Sequence, residues 1–193
     1  MSGPFIVLDG PDGVGKTKLL RHLAAALMLR GLVVACMSYP SDTIQGEIAH
    51  AGAERPWRAQ ACMFAADMYD HEDVERAHAN RCDVVLCDRR ELSTLAYQGR
   101  GHAPRERWIL GVVGELRAAD LTLVLTAPLD VRRARVAARG EVDSRDRDEL
   151  DLGPIYERLA RERGAVLIDA SGTPEATLAA ALKAVLDLLG SRP

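Results

Sequence analysis

A glycine-rich segment near the start of the chain carries the clearest chemical signal. It is Gly10-Pro11-Asp12-Gly13-Val14-Gly15-Lys16-Thr17, and it follows the apolar run Phe5–Leu8 and precedes an amphipathic stretch. Glycines let the backbone turn so that successive N–H groups point at a phosphate, and the next helix adds its positive dipole end. The pattern predicts a phosphate loop for a nucleoside triphosphate, with Lys16 on the terminal phosphates and Thr17 on magnesium. The predicted ATP-binding residues are Gly10, Gly13, Val14, Gly15, Lys16, Thr17 and Lys18.

An acidic residue followed by an arginine, Asp88-Arg89, comes directly after a second apolar run, Val84–Cys87. The carboxyl ends of parallel strands meet at one edge of a sheet, and a phosphate loop lies at the same edge. Asp88 is therefore predicted to organise magnesium, and Arg89 to hold a second phosphate with its bidentate guanidinium. A simple strand-end ion pair is the alternative that these residues leave open.

Residues 139–152 form a run of mixed charge between two helical patterns. One interpretation is a solvated loop whose charges pair with each other and contribute little. The other is a lid that closes arginines over a transferring phosphoryl group and excludes water. The lid is favoured because a phosphate loop is already present to supply the substrate. Its candidate catalytic residues are Arg139, Arg145 and Arg147.

Five apolar runs alternate with longer helical patterns, at residues 5–8, 33–37, 84–87, 121–125 and 166–168. This alternation predicts an α/β fold, a P-loop three-layer sandwich in which a five-stranded parallel sheet has helices on both faces and a short arginine-rich lid. Long helices are expected from Pro56 to about Asn80 and from Pro104 to Ala118. A last helix is expected after the cap Thr173-Pro174-Glu175.

The composition favours one globular domain over residues 1–193, of which 48% are apolar. A formal net charge of -3 does not favour binding to a nucleic-acid polymer or to a membrane surface. Without a long apolar run or a basic leader, the chain is expected to be cytoplasmic. The chain has four cysteines, Cys36, Cys62, Cys82 and Cys87, and none forms a C-x-x-C pair. They are predicted to be buried free thiols.

The segment Asp88-Arg89-Arg90-Glu91-Leu92-Ser93-Thr94-Leu95-Ala96-Tyr97-Gln98, with the phosphate loop, resembles the thymidylate kinase family, which phosphorylates dTMP to dTDP with ATP. The resemblance covers nearly the whole chain. It includes Tyr39-Pro40 and the helix Phe64–His71, similar to the family's F-x-A-D-R-x-x-H. The run from Arg135 to Glu149 resembles the bacterial-type lid, and Gly13 stands where the other subtype has an arginine. The resemblance implies ATP and Mg²⁺ as donor and cofactor, and a homodimer.

The resemblance also implies roles at the site of the acceptor, a deoxynucleoside monophosphate. Asp12 would accept a hydrogen bond from the 3′-hydroxyl, and Arg89 would hold the 5′-phosphate. Phe64 would stack on the base, and Tyr97 would crowd the 2′ position and so favour deoxyribose. The predicted acceptor residues are Asp12, Tyr39, Asp42, Phe64, Met68, Arg89, Arg90, Ser93, Thr94, Tyr97 and Gln98. The predicted catalytic residues are Lys16, Arg89, Arg139, Arg145 and Arg147.

Three residues depart from the family pattern. Met68 replaces the arginine that donates to a thymine carbonyl, and a thioether cannot make that donation. Asp42 stands near a usual arginine position, and Arg90 replaces an aromatic residue or histidine. Asp42 is predicted to pair with Arg90 or to contact an amino group. These departures leave dTMP and a related or modified deoxypyrimidine monophosphate both open as acceptors.

Other classes of nucleotide-binding protein fit the sequence less well than this family does. A GTP-dependent switch protein needs an N-K-x-D motif, and none follows residues 121–125. Adenylate and guanylate kinases would not be expected to carry the Ser93–Gln98 run. A nucleotide sensor with a decayed acceptor site and a monophosphate kinase of different base specificity stay open as alternatives.

Overall fold

A computed structural model describes residues 2–42, 55–138 and 150–191. Its strands are β1 (Phe5–Asp9), β2 (Val34–Ser38), β3 (Val84–Asp88), β4 (Leu121–Thr126) and β5 (Val166–Asp169). They form one sheet in the order β2-β3-β1-β4-β5, and every pairing is parallel. Strands β1 and β3 are buried along their whole length, as expected where helices cover both faces. The predicted five-stranded parallel sheet is confirmed.

The helices are α1 (Lys16–Met28), α2 (Trp57–Asp70), α3 (Glu72–Arg81), α4 (Glu91–Thr94), α5 (Ala103–Val113), α6 (Leu129–Ala137), α7 (Gly153–Glu162) and α8 (Pro174–Gly190). A π-helical turn over Leu95–Gly99 follows α4 directly. Helices α1 and α8 pack on one face of the sheet, and α2, α5 and α7 pack on the other. None of the helices described here has the length and apolar character needed to cross a bilayer.

Alternation along β1 connects the two cores. Ile6 and Leu8 pack with the helices of the α1 face, whereas Phe5 and Val7 pack on the opposite face. In the register of the central pair, Leu8 lies beside Asp88 at the carboxyl end of β3. The phosphate loop after β1 and the Asp88-Arg89 segment after β3 therefore emerge side by side.

The predicted long helix from Pro56 is wrong in one respect, because the segment forms two helices. The break lies at His71, whose backbone has φ −103° and ψ 2°, and whose Nδ1 lies 2.8 Å from the Asp67 carbonyl oxygen. The last helix begins as predicted, since the Thr173 side chain accepts a hydrogen bond from the Ala176 N–H at 3.2 Å.

All four cysteines are free thiols, but their predicted burial is correct for only some of them. Cys87 is buried in β3, and Cys82 is partly buried. Cys36 and Cys62 are exposed, so the prediction is wrong for both. Cys36 lies on β2, an edge strand, where an apolar run does not require that every side chain be covered.

Candidate active site

The phosphate loop joins β1 to α1 and requires glycine at several positions. Gly10, Gly13 and Gly15 have φ of 141°, 78° and 101°, in the region that L side chains rarely adopt. A Cβ on Gly10 would lie 2.5 Å from the Leu125 carbonyl oxygen, and one on Gly13 would lie 2.5 Å from the Arg132 carbonyl oxygen. This close packing fixes the loop at the N-terminus of α1, where the helix dipole favours an anion.

Gly10→Ala is expected to lower the free energy of unfolding by about 2–3 kcal/mol, because both the positive φ and the Leu125 carbonyl exclude a Cβ. In thermal unfolding, this corresponds to a melting temperature about 5–10 °C lower. Gly111→Ala is the matched control, since it lies in α5 with no atom within 4 Å of the added Cβ. That control should gain about 0.5–1 kcal/mol. An unchanged melting temperature for Gly10→Ala would contradict the steric account.

The Lys16 side chain folds back over the phosphate loop. Its Nζ donates to the carbonyl oxygens of Gly10 at 2.8 Å and Pro11 at 3.0 Å. Burial, together with the nearby Arg89 charge, lowers the pKa of the Lys16 ammonium to about 8. A bound phosphate would oppose both effects, so this buried ammonium is arranged to receive an anion.

Thr17 and Asp88 form a candidate magnesium site across the β1–β3 edge. The Thr17 hydroxyl donates to Asp88 Oδ2 at 2.6 Å. The other carboxylate oxygen, Asp88 Oδ1, is buried and has no hydrogen-bond partner within the described ranges. Mg²⁺ prefers such oxygens and completes its shell with water and substrate phosphates. The described residues hold no cluster of three or more His, Cys, Asp or Glu placed for a metal.

Asp9, the last residue of β1, organises the loops around the phosphate site but is not among the residues predicted from the motif. Its fully buried carboxylate accepts from the N–H groups of Gly10 at 2.9 Å, Ser93 at 3.1 Å and Arg90 at 3.2 Å. Burial raises its pKa, against the opposing hydrogen bond from the Ser93 hydroxyl. Asp9 therefore ties the phosphate loop to the segment that carries Arg89. Its position at the carboxyl end of β1 was the available sequence signal.

Arg89 and Tyr97 both contact Asp12, a residue of the phosphate loop. The Arg89 guanidinium donates to Asp12 Oδ1, and the Tyr97 hydroxyl donates to Asp12 Oδ2 at 2.6 Å. Burial alone would raise the pKa of Asp12, but the charges of Arg89 and Lys16 outweigh it and hold that pKa below its usual value. Burial and the Asp12 charge raise the pKa of Tyr97. At neutral pH the cluster therefore contains a carboxylate, a guanidinium and a neutral phenol.

Ser93 joins this cluster to α7, the helix that follows the predicted lid in the sequence. Its hydroxyl lies 2.7 Å from Asp9 Oδ1 and 2.9 Å from the Tyr156 hydroxyl, and it accepts from Arg89 Nη1 at 3.3 Å. The Tyr156 side chain is fully buried. Tyr156 is not predicted as a site residue, because a single tyrosine on an amphipathic helix carries no motif.

The remaining predicted base contacts lie on α2, α4 and the π-helical turn. Phe64 is half-buried on α2, and Thr94 is buried on α4. Gln98 is buried, and its Nε2 donates to Gln60 Oε1 at 3.1 Å. Met68 is only 1% exposed and belongs to the apolar core. Its position therefore does not support the predicted acceptor contact at Met68.

Arg90 is the clearest correction to the predicted acceptor site. Its guanidinium is 1% exposed and pairs with Glu75 on α3, which also accepts from the Tyr39 hydroxyl at 2.8 Å. Asp42 is exposed. The predicted Asp42–Arg90 pair is therefore wrong, and Arg90 and Tyr39 direct their polar groups to a buried carboxylate. No local pattern indicates Glu75 as that partner.

The three predicted lid arginines, Arg139, Arg145 and Arg147, lie outside the described residues. The flanking helices α6 and α7 are where the sequence places them. The Arg132 guanidinium of α6 donates to Asp151, whose carboxylate also accepts from the Gly153 N–H at 2.9 Å at the start of α7. Arg135 Nη1 donates to the Val14 carbonyl oxygen in the phosphate loop at 3.4 Å. The residues that flank the predicted lid are thus tied to each other and, through Arg135, to the phosphate loop.

Comparison with known proteins agrees with this geometry. A family model described as an AAA domain matches residues 5–176. A thymidylate kinase of Gluconobacter oxydans is 34% identical and covers 97% of this chain and 96% of its own. One of Cereibacter sphaeroides is 35% identical over 99% and 98%, and one of Pseudomonas entomophila is 41% identical over 74% and 73%. At these identities over most of both chains, the relatives show that the chain belongs to the thymidylate kinase family.

Proposed function

We propose that this chain transfers the γ-phosphoryl group of ATP to the 5′-phosphate of dTMP, giving dTDP and ADP. One observation carries the proposal: Arg89, directly after β3, donates to Asp12 in the phosphate loop, and the ammonium of Lys16 donates to the neighbouring Gly10 and Pro11 carbonyl oxygens of the same loop. A donor-phosphate cation and an acceptor-phosphate cation are thereby held at one edge of the sheet. The names of the relatives, thymidylate kinases over almost their full lengths, support the same activity.

In this mechanism the protein supplies position and charge. The second pKa of a phosphate monoester is about 6, so the acceptor phosphate is largely a dianion at neutral pH and needs no general base. Lys16 would stabilise charge on the transferring group, and Arg89 would orient the attacking phosphate. Arg139, Arg145 and Arg147 are proposed to close over the reaction. Single substitutions would rank the three arginines, since replacing the catalytic one should lower kcat far more than it changes KM. Equal and small losses of kcat from all three would refute this role.

Mg²⁺ is proposed to bind at Thr17 and Asp88 and to neutralise phosphate charge. The unpartnered Asp88 Oδ1 supports this assignment. Asp88→Asn is expected to raise the Mg²⁺ concentration for half-maximal rate at least about tenfold, because an amide oxygen carries no full charge. Asp73→Asn, an exposed substitution on α3, serves as the control. An unchanged Mg²⁺ dependence in Asp88→Asn would remove the assignment.

The acceptor is tested with a panel of dTMP, dUMP, dCMP, dAMP, dGMP and ribo-TMP, with ADP and nucleoside diphosphate both quantified. We expect dTMP to give the highest kcat/KM. The amide of Gln98, which is held by Gln60, would supply the hydrogen bond to the base that the Met68 thioether cannot donate. We expect ribo-TMP to be poor because Tyr97 is fixed by Asp12. Preference for another base would refute dTMP as the acceptor. ATP binding without turnover of any acceptor would favour a sensor.

A homodimer and a cytoplasmic location are further proposals that rest on family membership and composition. Light scattering of the purified chain tests the first, and a monomer across micromolar concentrations would refute it. Fractionation of cells tests the second, and recovery with the membrane or periplasm would refute that location.

A further inference from the structure

A buried ion pair lies behind the proposed acceptor-phosphate site. Arg90 donates through Nε to Glu75 Oε1 at 3.1 Å and through Nη2 to Oε2 at 3.0 Å, with side-chain exposures of 1% and 0%. Its Nη1 donates to the Arg117 carbonyl oxygen at 2.5 Å, and the guanidinium lies 5.0 Å from the Phe5 ring centroid. Arg90 therefore joins β3 to α3 and to the loop before β4.

This pair is poorly explained by stability alone. Desolvation of two charges offsets most of their attraction, and apolar residues of similar volume often stabilise a fold as well or better. Here the geometry is bidentate, and the carboxylate of Glu75 also accepts from the Tyr39 hydroxyl at 2.8 Å. Burial would lower the pKa of Arg90, but the Glu75 carboxylate outweighs burial and raises that pKa, so Arg90 stays charged. A fully bonded network of this kind fixes orientation more than it adds stability.

The residue that it fixes is next to Arg89. Arg89 has φ 68°, a conformation uncommon for a non-glycine residue, and such a conformation persists only when its surroundings hold it. The Arg89 N–H donates to the Leu8 carbonyl oxygen at 2.8 Å, and the Arg90 N–H donates to Asp9 at 3.2 Å. These bonds hold the backbone on the sheet side. The Glu75–Arg90 pair adds a side-chain anchor at the residue that directly follows Arg89.

We propose that Glu75 and Arg90 are positioning residues that hold the left-handed turn at Arg89, and with it the Arg89 guanidinium, in the orientation that binds the acceptor phosphate. The inference rests on the proposed function. Both side chains are buried, and their polar atoms are bound to each other, to the Arg117 carbonyl oxygen and to the Tyr39 hydroxyl. Loss of the pair is therefore expected to weaken acceptor binding while leaving the phosphate loop and ATP binding intact.

The test uses Arg90→Met alone and with Glu75→Gln, in the full chain, at temperatures well below each melting midpoint. The single variant leaves an unpaired buried carboxylate and should lose stability, whereas the double variant removes both charges, keeps an acceptor for Tyr39, and should recover much of it. In both variants KM for dTMP should rise at least about tenfold, and KM for ATP should stay within about twofold. Arg158→Met, which breaks the remote pair with Glu106, should change neither KM.

An unchanged KM for dTMP in both variants would overturn the positioning role, as would recovery of KM together with stability in the double variant. Calorimetric binding of dTMP gives the same comparison without turnover. If the wild-type chain binds dTMP but does not phosphorylate it, the proposed function fails. The dTMP affinities of the variants still decide the positioning role, so the two failures are distinguishable.

Discussion

Lys16→Met is expected to lower kcat for dTDP formation by about 10³-fold or more, the largest effect of any single substitution on the donor side. The buried Lys16 ammonium is the proposed phosphoryl-group cation, and a thioether of similar length cannot replace its charge. Burial and the Arg89 charge lower the pKa of Lys16 to about 8. In the free site the charged form of Lys16 is therefore disfavoured, and a bound phosphate would stabilise it. Much of the ammonium's interaction energy is thus available to a bound phosphate and to the transition state.

The measurement is a steady-state comparison of wild type, Lys16→Met and the control Lys183→Met. Lys183 is an exposed residue of α8 that pairs with Asp187 at 2.6 Å, so its loss should leave kcat and KM unchanged. Circular dichroism establishes that the Lys16 variant is folded. A folded Lys16→Met protein with kcat within about tenfold of wild type would show that Lys16 is not the principal phosphoryl-group cation.

Arg89→Met is expected to lower kcat/KM for dTMP by about 10³-fold, mainly by raising the acceptor KM. The guanidinium donates through Nη2 to Asp12 and through Nη1 to Ser93, and its carbon lies 5.5 Å from the Tyr97 ring centroid, so its orientation beside the phosphate loop is fixed. Arg89→Lys should recover no more than about tenfold, because an ammonium cannot contact phosphate bidentately. The KM for ATP should change far less in both variants.

Arg76→Met is the matched control, since Arg76 is an exposed arginine of α3 whose partner Asp73 is also exposed. It should leave both Michaelis constants unchanged. The assignment of Arg89 to the acceptor would be refuted if KM for ATP rose as much as KM for dTMP. Full activity of Arg89→Lys would instead show that charge is sufficient and that the bidentate geometry has no role.

The sheet and the donor side of the site follow closely from local sequence. Apolar runs of β-strand length and a glycine-rich segment before Lys16 define one strand–loop–helix unit, and the position of Asp88 at the end of the next central strand follows from the parallel topology. These inferences need only neighbouring residues and one rule about strand ends. They therefore agree with the structure to within a residue or two.

The less predictable parts depend on partners that are distant in sequence. Arg90 follows Arg89 directly and therefore resembles a second phosphate ligand, but Glu75, from a helix that precedes β3, holds it in the interior. The helix break at His71 involves no glycine or proline, so local propensity does not predict it. Asp9 directly precedes the glycine-rich segment, but its role depends on Ser93, which the fold brings back to the end of β1.

The central claim is a transfer between two phosphates, and ³¹P nuclear magnetic resonance of the purified chain with ATP, Mg²⁺ and dTMP tests it most directly. The account predicts dTDP and ADP resonances that grow in equal amounts, with no inorganic phosphate, and no growth when dTMP is omitted. Release of inorganic phosphate without dTDP, or no consumption of ATP in the presence of bound dTMP, would contradict it.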